Sequence, residues 1–331
     1  MILKGWIELD GEVLSPDEVL EIISLRPGDV TRFGGEFFLT TETCLARDHF
    51  GIMPGLIPPG SFWCHGRKVG DISPVIRTGD LDGAITEAVR LRSAEGVTAL
   101  SGGVDSAMVA ALARRPCLVI GVKGSHDIIR AQKVARELNL PLTVREVRPA
   151  DIEAALPRVL RLIIDPSPVD LAIATTLFFV AETARSLGYR RILTGQGADE
   201  IFGGYARYAD LSLPDLEETF ARDFSSLSRQ GARDQAVAGY HGAWLSMPYL
   251  DIRVVCAAAE IPPVERVSEG IRKRPLREVA ARYLTRETAY YEKKAMQYGS
   301  GIWKEIKRLA RQNGYQNSVS EYIHNIRRLE E

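Results

Sequence analysis

Residues 97–106 read Val-Thr-Ala-Leu-Ser-Gly-Gly-Val-Asp-Ser and connect a short apolar strand to a helix. Two adjacent glycines allow the backbone to turn tightly and to approach a ligand closely. The helix that follows presents unpaired N–H groups and the positive end of its dipole. This arrangement predicts a binding site for a phosphate or pyrophosphate group where the helix begins.

The loop supplies the first candidate nucleotide-binding residues, which are Leu100, Ser101, Gly102, Gly103, Asp105 and Ser106. Phosphate would repel Asp105 unless a cation lay between them, so we interpret this residue as a Mg²⁺ ligand. The loop lacks the G-K-[ST] of a Walker loop and the G-x-G-x-x-G of a dinucleotide-binding fold. The structural alternative is a glycine-rich turn with a serine cap.

Strand-like and helix-like segments alternate after about residue 83. The predicted strands are 97–100, 117–122, 142–147 and 191–194, with helical patterns between them. This order predicts an α/β fold with a doubly wound, Rossmann-like parallel sheet and helices on both faces. Ile120 and Gly121, at the end of the second strand, join the candidate nucleotide-binding residues. A small β-rich region is expected before residue 80, and mainly helices after residue 213.

A second motif, Thr-Gly-Gln-Gly-Ala-Asp-Glu-Ile-Phe-Gly-Gly-Tyr at 194–205, follows the last predicted strand. Ligands of open α/β sheets bind at the carboxyl ends of the strands, where the phosphate loop also lies. We therefore expect Thr194 and Gly195 to contact the nucleotide and Asp199 to be a second metal ligand. Gln196 is a candidate catalytic residue. The alternative for this motif is an ordinary glycine-rich turn.

These motifs resemble those of the ATP-pyrophosphatase superfamily and, within it, of the asparagine synthetases. The first motif is similar to S-G-G-x-D-S, and the second to G-x-G-[SA]-D-E-x-F-G-G-Y. Further similarities to V-P-F-L-D, K-x-x-L-R and R-x-K-E-x-F lie at 247–251, 273–277 and 291–296. The resemblance covers about residues 83 to 305. It implies that ATP and Mg²⁺ activate a small-molecule carboxylate as its adenylate, and that ammonia or an amine then displaces AMP.

The chain departs from the family pattern at two positions. Gln196 stands where the family has glutamate or, in β-lactam formers, tyrosine, and a carboxamide cannot take up a proton. Ala172 stands where an arginine is expected. Lys293 is then the candidate that stabilises the leaving pyrophosphate, although Lys294 could do so instead and a solvated lysine pair is the structural alternative. Two other functions stay open: transfer to a tRNA base or of sulfur, and a non-catalytic, regulatory ATP-binding protein.

The first 80 residues resemble part of the family's glutaminase domain. The segments 34–38 and 46–51 are similar to hairpin segments of that domain, but Ile2 occupies the position of its cysteine nucleophile. We therefore expect a shortened, inactive glutaminase-like domain at 1–80 and a synthetase-like domain at 81–331. Ammonia or a small amine, not glutamine, is expected as the nitrogen source. Cys44 has no free α-amine beside it, and a separate glutaminase subunit could supply ammonia.

Composition excludes several other classes of protein. The 331 residues include 42 basic and 43 acidic side chains, a balance that argues against a nucleic-acid or acidic-lipid surface. The first ten residues show no pattern of a secretory leader, so we expect none, and no apolar run is long enough for a membrane helix. Its four cysteines fit no zinc pattern and are expected as reduced thiols of a cytoplasmic protein. The basic residues at 272–277 are interpreted as a solvated helix face, and a homodimer is a further expectation.

Overall fold

The computed structural model describes residues 1–76, 79–268, 270–292, 296–316 and 318–330. The chain forms two compact units, each built from three segments. Unit 1 contains Met1–Ala94, Gly195–Gln235 and Ser246–Val279, and unit 2 contains Glu95–Thr194, Ala236–Leu245 and Ala280–Glu331. The domain boundary expected near residue 80 stays a proposal. The helix that follows it, Leu81–Arg92, belongs to unit 1.

The strands, numbered in chain order, are β1 Ile2–Leu9, β2 Glu12–Val13, β3 Gly34–Thr40, β4 Cys44–Arg47, β5 Ser61–Cys64, β6 Arg67–Asp71, β7 Val97–Ala99, β8 Cys117–Gly121, β9 Leu142–Glu146, β10 Arg191–Leu193 and β11 Trp244–Ser246.

The helices, numbered in the same way, are α1 Pro16–Leu25, α2 Leu81–Arg92, α3 Val104–Ala113, α4 His126–Glu137, α5 Pro149–Leu162, α6 Pro168–Ser186, α7 Ala198–Phe202, α8 Leu213–Tyr240, α9 Ile252–Ala259, α10 Pro263–Arg266, α11 Arg274–Ala280, α12 Arg286–Ala289, α13 Met296–Gly299, α14 Ile302–Gln312 and α15 Val319–Glu330.

The larger fold is built on a five-stranded sheet in the order β11-β10-β7-β8-β9. The pairs β10–β7, β7–β8 and β8–β9 are parallel. The chain moves outward from β7 to β9 and then returns to the other side of β7 to form β10. Because such crossovers are right-handed, α3 and α4 cover one face of the sheet and the helices before β10 cover the other. The predicted doubly wound α/β fold is confirmed, with a topological switch point between β7 and β10.

The predicted N-terminal β region is also confirmed. Six antiparallel strands have the order β2-β1-β3-β4-β5-β6. Apolar side chains from the sheet, α1 and the loops beside them form one core: Ile7, Val19, Ile22, Val30, Phe33, Phe37, Leu39, Ala46, Phe62 and Ile72.

A buried arginine ties this sheet to other segments of unit 1. Arg92, at the end of α2, is 1 % exposed. Its Nε donates to Glu36 on β3, and its Nη1 donates to Asp251, each over 2.8 Å. The guanidinium carbon lies 4.9 Å from the centroid of the Trp6 ring on β1. One side chain therefore joins α2, two strands and the segment at residue 251.

The carboxylates around Arg92 stay ionised although they are buried. Burial opposes the charge of Glu36, but the Arg92 guanidinium and hydrogen bonds from Ser246 and Met247 lower its pKa. Burial likewise opposes the charge of Asp251, whose pKa is lowered by the nearby guanidinium groups. The stabilisation from these ion pairs is therefore present near neutral pH and is lost as the pH falls through the carboxyl pKa values.

The cysteines require a correction. Reduced thiols were expected, but Cys44 on β4 and Cys64 on β5 are joined by a disulfide. The two residues are directly paired across neighbouring antiparallel strands, which brings their Cβ atoms close together. Cys117 and Cys256 are free thiols. Within the described parts of the chain, no helix is both long and apolar enough to cross a membrane, and the cytoplasmic location stays a prediction.

The arginine network predicts a large effect of a single substitution. We expect Arg92→Met to lower the free energy of unfolding by about 3–5 kcal/mol at pH 7, because the buried Glu36 loses its counter-ion and Asp251 keeps only Arg253 as a partner. Arg90→Met is the matched control, since Arg90 lies on the same helix with a side chain that is 57 % exposed. Arg90→Met should change the free energy of unfolding by no more than about 1 kcal/mol. Urea unfolding curves would measure the stability of both variants, and equal losses of stability would contradict the role assigned to Arg92.

Candidate active site

The phosphate loop lies in unit 2, where β7 ends and α3 begins. Gly103 is the N-cap residue of α3, and no side chain caps the helix there. The start of the helix therefore has the uncapped form that an anion site requires, and anion binding there stays a prediction. Gly102 has a φ of +79°, and a Cβ atom at this position would lie 2.6 Å from the backbone of Arg130 on α4. Only glycine fits this position, because both the backbone conformation and the close packing exclude a side chain.

Two serine hydroxyls brace the loop. The Ser106 Oγ accepts a hydrogen bond from the Ser101 N–H over 3.1 Å and lies 2.9 Å from the Ser101 Oγ. It also donates to the Gly103 carbonyl oxygen over 3.2 Å. Ser106 is buried and holds the turn in shape. Asp105 lies in the first turn of α3 with partly exposed surface.

The strand ends beside the loop carry the other candidate residues of unit 2. Leu100 donates its N–H to Leu118 on β8, which places the loop against that strand. Ile120 is buried, and a Cβ atom on Gly121 would lie 2.2 Å from the Ser125 Oγ. Thr194 follows β10, the parallel neighbour of β7. These residues therefore share the carboxyl edge of the sheet with the phosphate loop, on both sides of the switch point.

The second motif continues into unit 1 and forms the short helix α7. Gly197 and Gly203 cap its two ends with φ values of +86° and +79°. A Cβ atom on Gly197 would lie 2.6 Å from the Leu250 side chain. Leu250 belongs to the segment 247–251, in which residues 248–250 form a buried 3₁₀ turn. The glycines of the motif therefore serve tight packing as well as backbone conformation.

Asp199, expected as a metal ligand, forms an ion pair with Lys273 over 2.8 Å. A Cβ atom on Gly204 would lie 1.7 Å from the Asp199 Oδ1 and 2.3 Å from the Lys273 Cε, so this pair fills the space that glycine leaves. Lys273 and Arg277 are 6 % and 5 % exposed. The interpretation of the basic segment as a solvated face is therefore wrong for these two residues. The sequence feature that could have indicated a buried role for Lys273 and Arg277 is the similarity of residues 273–277 to the K-x-x-L-R motif.

Gln196, the candidate catalytic residue in unit 1, is held by an acidic neighbour on α8. Its side-chain amide donates a hydrogen bond to the Oδ2 of Asp234. The Nε of Arg233 donates to the Oδ1 of the same carboxylate over 2.7 Å. Asp234 is 2 % exposed. The sequence did not indicate Asp234, because it lies far from the motif along the chain.

A glutamate of the second motif is also buried. Glu200 accepts hydrogen bonds from the Tyr205 hydroxyl and, over 3.2 Å, from the Gln230 side chain. Burial raises the pKa of Glu200, and these hydrogen bonds act in the opposite direction. Burial and the nearby Glu200 carboxylate also raise the pKa of Tyr205. The pair braces the turn between α7 and α8.

Two sequence predictions about this site remain open. Lys293, the candidate for stabilising pyrophosphate, lies outside the described residues, as does Lys294. In the part of the chain that the structure describes, no group of three or more His, Cys, Asp or Glu side chains could hold a metal. Asp105 and Asp199 belong to different compact units, so their joint role as metal ligands stays a prediction.

Gly204 provides a test of the packing in the second motif. We expect Gly204→Ala to lower the free energy of unfolding by about 1–3 kcal/mol, because the new methyl group overlaps the Asp199–Lys273 pair. Gly231→Ala is the control in the same unit, since a Cβ atom there has no neighbour within 4 Å. On helix α8 that change should be neutral or stabilising. Thermal and urea unfolding would compare the two, and equal stability of both variants would contradict this packing.

Comparison with known proteins agrees with these motifs. Residues 80–244 and 218–325 match the family Asparagine synthase. A Methanocaldococcus jannaschii protein, proposed to be a glutamine-hydrolysing asparagine synthetase, is 31 % identical over 293 residues, covering 75 % of this chain and 54 % of its own length. The glutamine-hydrolysing asparagine synthetase B of Escherichia coli is 25 % identical over 228 residues, covering 61 % of this chain and 41 % of that one. The chain thus spans about half the length of these relatives or less.

Among solved structures, the NMN synthetase of Francisella tularensis matches 55 % of this chain and 94 % of its own, with 16 % identity and a TM-score of 0.29. This likeness is too distant to support an argument, whereas the family match extends over most of the chain. The protein belongs to the asparagine synthase family.

Proposed function

We propose that the protein is an ATP-dependent, amide-forming synthetase. ATP would activate a carboxylate substrate as its acyl-adenylate, with release of pyrophosphate, and ammonia or an amine would then displace AMP. The observation that carries this proposal is the uncapped, glycine-rich start of α3 at the topological switch point of the sheet. Membership of the asparagine synthase family supports the same class of reaction.

The chain's own residues would bind and orient the nucleotide. The N–H groups at the start of α3 would donate hydrogen bonds to phosphate oxygens, and the helix dipole would favour their negative charge. Gly102 would allow the backbone to approach the phosphates. Leu100, Ile120 and Gly121 would contact the rest of the nucleotide, and Thr194 and Gly195 would contact it from the other side of the switch point. AMP is a good leaving group, so adenylation makes the carboxylate carbon reactive toward an amine.

Asp105 fits the role of a Mg²⁺ ligand. In the described residues no larger cluster of metal-binding side chains exists, but Mg²⁺ commonly uses one or two carboxylates together with substrate phosphates and water. Asp105 lies in the first turn of α3, beside the predicted phosphate position. Bound Mg²⁺ would neutralise phosphate charge. Asp199 is proposed as the second carboxylate, and its lysine partner would then share it.

Gln196 and Lys293 are proposed for the chemical steps. The Gln196 amide nitrogen donates to Asp234, which fixes the side chain, and an amide oxygen can serve only as a hydrogen-bond acceptor. Gln196 would thus orient the nitrogen nucleophile without taking its proton. The ammonium group of Lys293 is proposed to stabilise the charge of the leaving pyrophosphate.

The cysteines argue against sulfur transfer as the alternative. Such chemistry requires a thiolate near the nucleotide. Burial raises the pKa of Cys117 to about 12, and this residue begins β8, at the opposite end of the strand from the site. Burial also raises the pKa of Cys256, and the other two cysteines form a disulfide.

The reaction itself can be tested by its products and by isotope exchange. We expect the protein with Mg²⁺, ATP, aspartate or another amino-acid carboxylate, and ammonia to release AMP and pyrophosphate. Asp105→Asn should lower the rate by about 100-fold or more, because charge stabilisation at the phosphates is lost. Asp17→Asn is the control, since Asp17 is an exposed acidic residue in the first turn of α1.

Three outcomes of this experiment would contradict the proposal or part of it. Release of ADP would exclude adenylation. Tight ATP binding without pyrophosphate exchange for any carboxylate would favour the non-catalytic alternative. Equal rates for the Asp105 and Asp17 variants would remove Asp105 from the metal site.

The nitrogen source is a separate prediction. We expect no glutamate when the pure protein is incubated with glutamine alone, whereas free ammonia should support amide formation. The nearest cysteine to the N-terminus, Cys44, has its sulfur bonded to Cys64 and is not a thiolate. Cys44→Ala and Cys64→Ala both break the disulfide and form a matched pair. Glutamate production that is lost only in the Cys44 variant would show that Cys44 is a nucleophile.

A further inference from the structure

The buried side chain of Arg130 belongs to a helix that packs against the phosphate loop, and the function proposed above gives it no role. Arg130 belongs to α4 in unit 2, and its side chain is 10 % exposed. A Cβ atom on Gly102 would lie 2.6 Å from both the Cβ and the carbonyl carbon of Arg130. The phosphate loop therefore packs directly against the helix at this residue.

Two of the three guanidinium nitrogens have no hydrogen-bond partner in the part of the chain that the structure describes. Nη1 lies 3.6 Å from a carboxylate oxygen of Glu287. Nε and Nη2 are buried, and neither has a hydrogen-bond partner among the described residues. These two nitrogens share one edge of the planar group, where their N–H bonds form a fork that matches two oxygens of a phosphate or carboxylate. Burying such donors without partners is unfavourable, so this edge is suited to an anion that arrives with a ligand.

An aromatic side chain fixes the plane of the guanidinium. Its central carbon lies 3.5 Å from the centroid of the Tyr291 ring. The Tyr291 hydroxyl shares a hydrogen bond with the Nε2 of His126, and the two rings are stacked. Tyr291 is thereby held in place from α4 itself. Because the fork is oriented before a ligand binds, little side-chain entropy is lost on binding.

We propose that Arg130 binds the β- and γ-phosphates of the nucleotide and then the pyrophosphate that leaves. This inference rests on the proposed function and adds a residue to it. The nearest predicted anion site is the phosphate loop, which contacts Arg130 directly through Gly102. Helix α12, which carries Glu287, packs against α3. The loop, α3, α4 and α12 therefore meet in one region of unit 2.

The chemistry gives the guanidinium a specific task. During adenylation a carboxylate oxygen of the substrate forms a bond to the α-phosphorus, and the bond to the bridging oxygen of the β-phosphate breaks. The electron pair of the broken bond stays on pyrophosphate, whose negative charge therefore increases in the transition state. A fixed, buried guanidinium stabilises this charge more strongly than a solvated cation does.

The competing explanation is that Arg130 only packs between its neighbours. Glu287 is a weak partner for a buried cation, because it is 62 % exposed and also pairs with Lys133. The two explanations differ in the ligands they affect. A packing role changes the binding of all nucleotides alike, whereas a phosphate-binding role spares AMP, which has no β- or γ-phosphate.

Calorimetric titration of the full-length protein with ATP, AMP and inorganic pyrophosphate, each with the same Mg²⁺ concentration, distinguishes these roles. For Arg130→Gln we expect the Kd of ATP and of pyrophosphate to rise about tenfold or more, and that of AMP to stay within about twofold. Arg130→Lys should give an intermediate loss, since it keeps the charge but not the fork. Arg136→Gln is the matched control, because Arg136 is exposed on the same helix.

Each result decides the inference. Equal weakening of ATP and AMP, or unchanged binding of ATP and pyrophosphate, would overturn the role of Arg130. If the glutamine variant does not fold, the same comparison is made with Arg130→Lys, and its failure to weaken pyrophosphate binding would also overturn that role. If the wild-type protein does not bind ATP, both the proposed function and this inference fail. If the wild type binds ATP and Arg130→Gln binds it with the same Kd, only this inference fails.

Discussion

The ion pairs of Arg92 are the constraint on which unit 1 depends. A fully buried guanidinium is tolerated only when its donors meet carboxylates and carbonyl oxygens. Here Glu36, Asp251 and the Ala88 carbonyl oxygen supply those acceptors. Glu36 in turn accepts hydrogen bonds from the Trp6 ring and the Met247 N–H, each within 3.0 Å. The network thus joins the antiparallel sheet, α2 and the segment at 247–251, and this segment carries the Leu250 that packs under Gly197.

In unit 2, the direction of the chain through the sheet decides where ligands can bind. The strand order reverses between β7 and β10, so the loops that follow these strands diverge and leave a crevice. The phosphate loop follows one strand and Thr194 follows the other. Helix α3 begins at this position without a side-chain cap. An anion bound there could accept hydrogen bonds from the N–H groups at the start of the helix. The positive φ of Gly102 and its close packing explain why the loop contains glycine.

Two polar side chains of the candidate site, Gln196 and Lys273, are held by residues that lie far from them in the sequence. A glutamine at position 196 has no proton-accepting group, but the Asp234 carboxylate fixes its side-chain amide. Lys273 is buried against Asp199 and Gly204, so the basic segment around it contributes to the site's packing. In both cases the side chain acts through a partner from another helix or turn, and only the tertiary structure identifies that partner.

The amino-acid sequence by itself determined the fold class, the strand that leads into each motif and the glycine-rich turn into a helix at residues 100–106. These features are local, because glycine conformation, helix ends and apolar periodicity depend on neighbouring residues. Only the tertiary structure decided that Cys44 and Cys64 pair, that Lys273 is buried, and that two nitrogens of Arg130 are buried without a hydrogen-bond partner among the described residues. The reason is physical: strand pairing and burial of charge depend on contacts between segments that are distant in the chain, and no local pattern encodes those contacts.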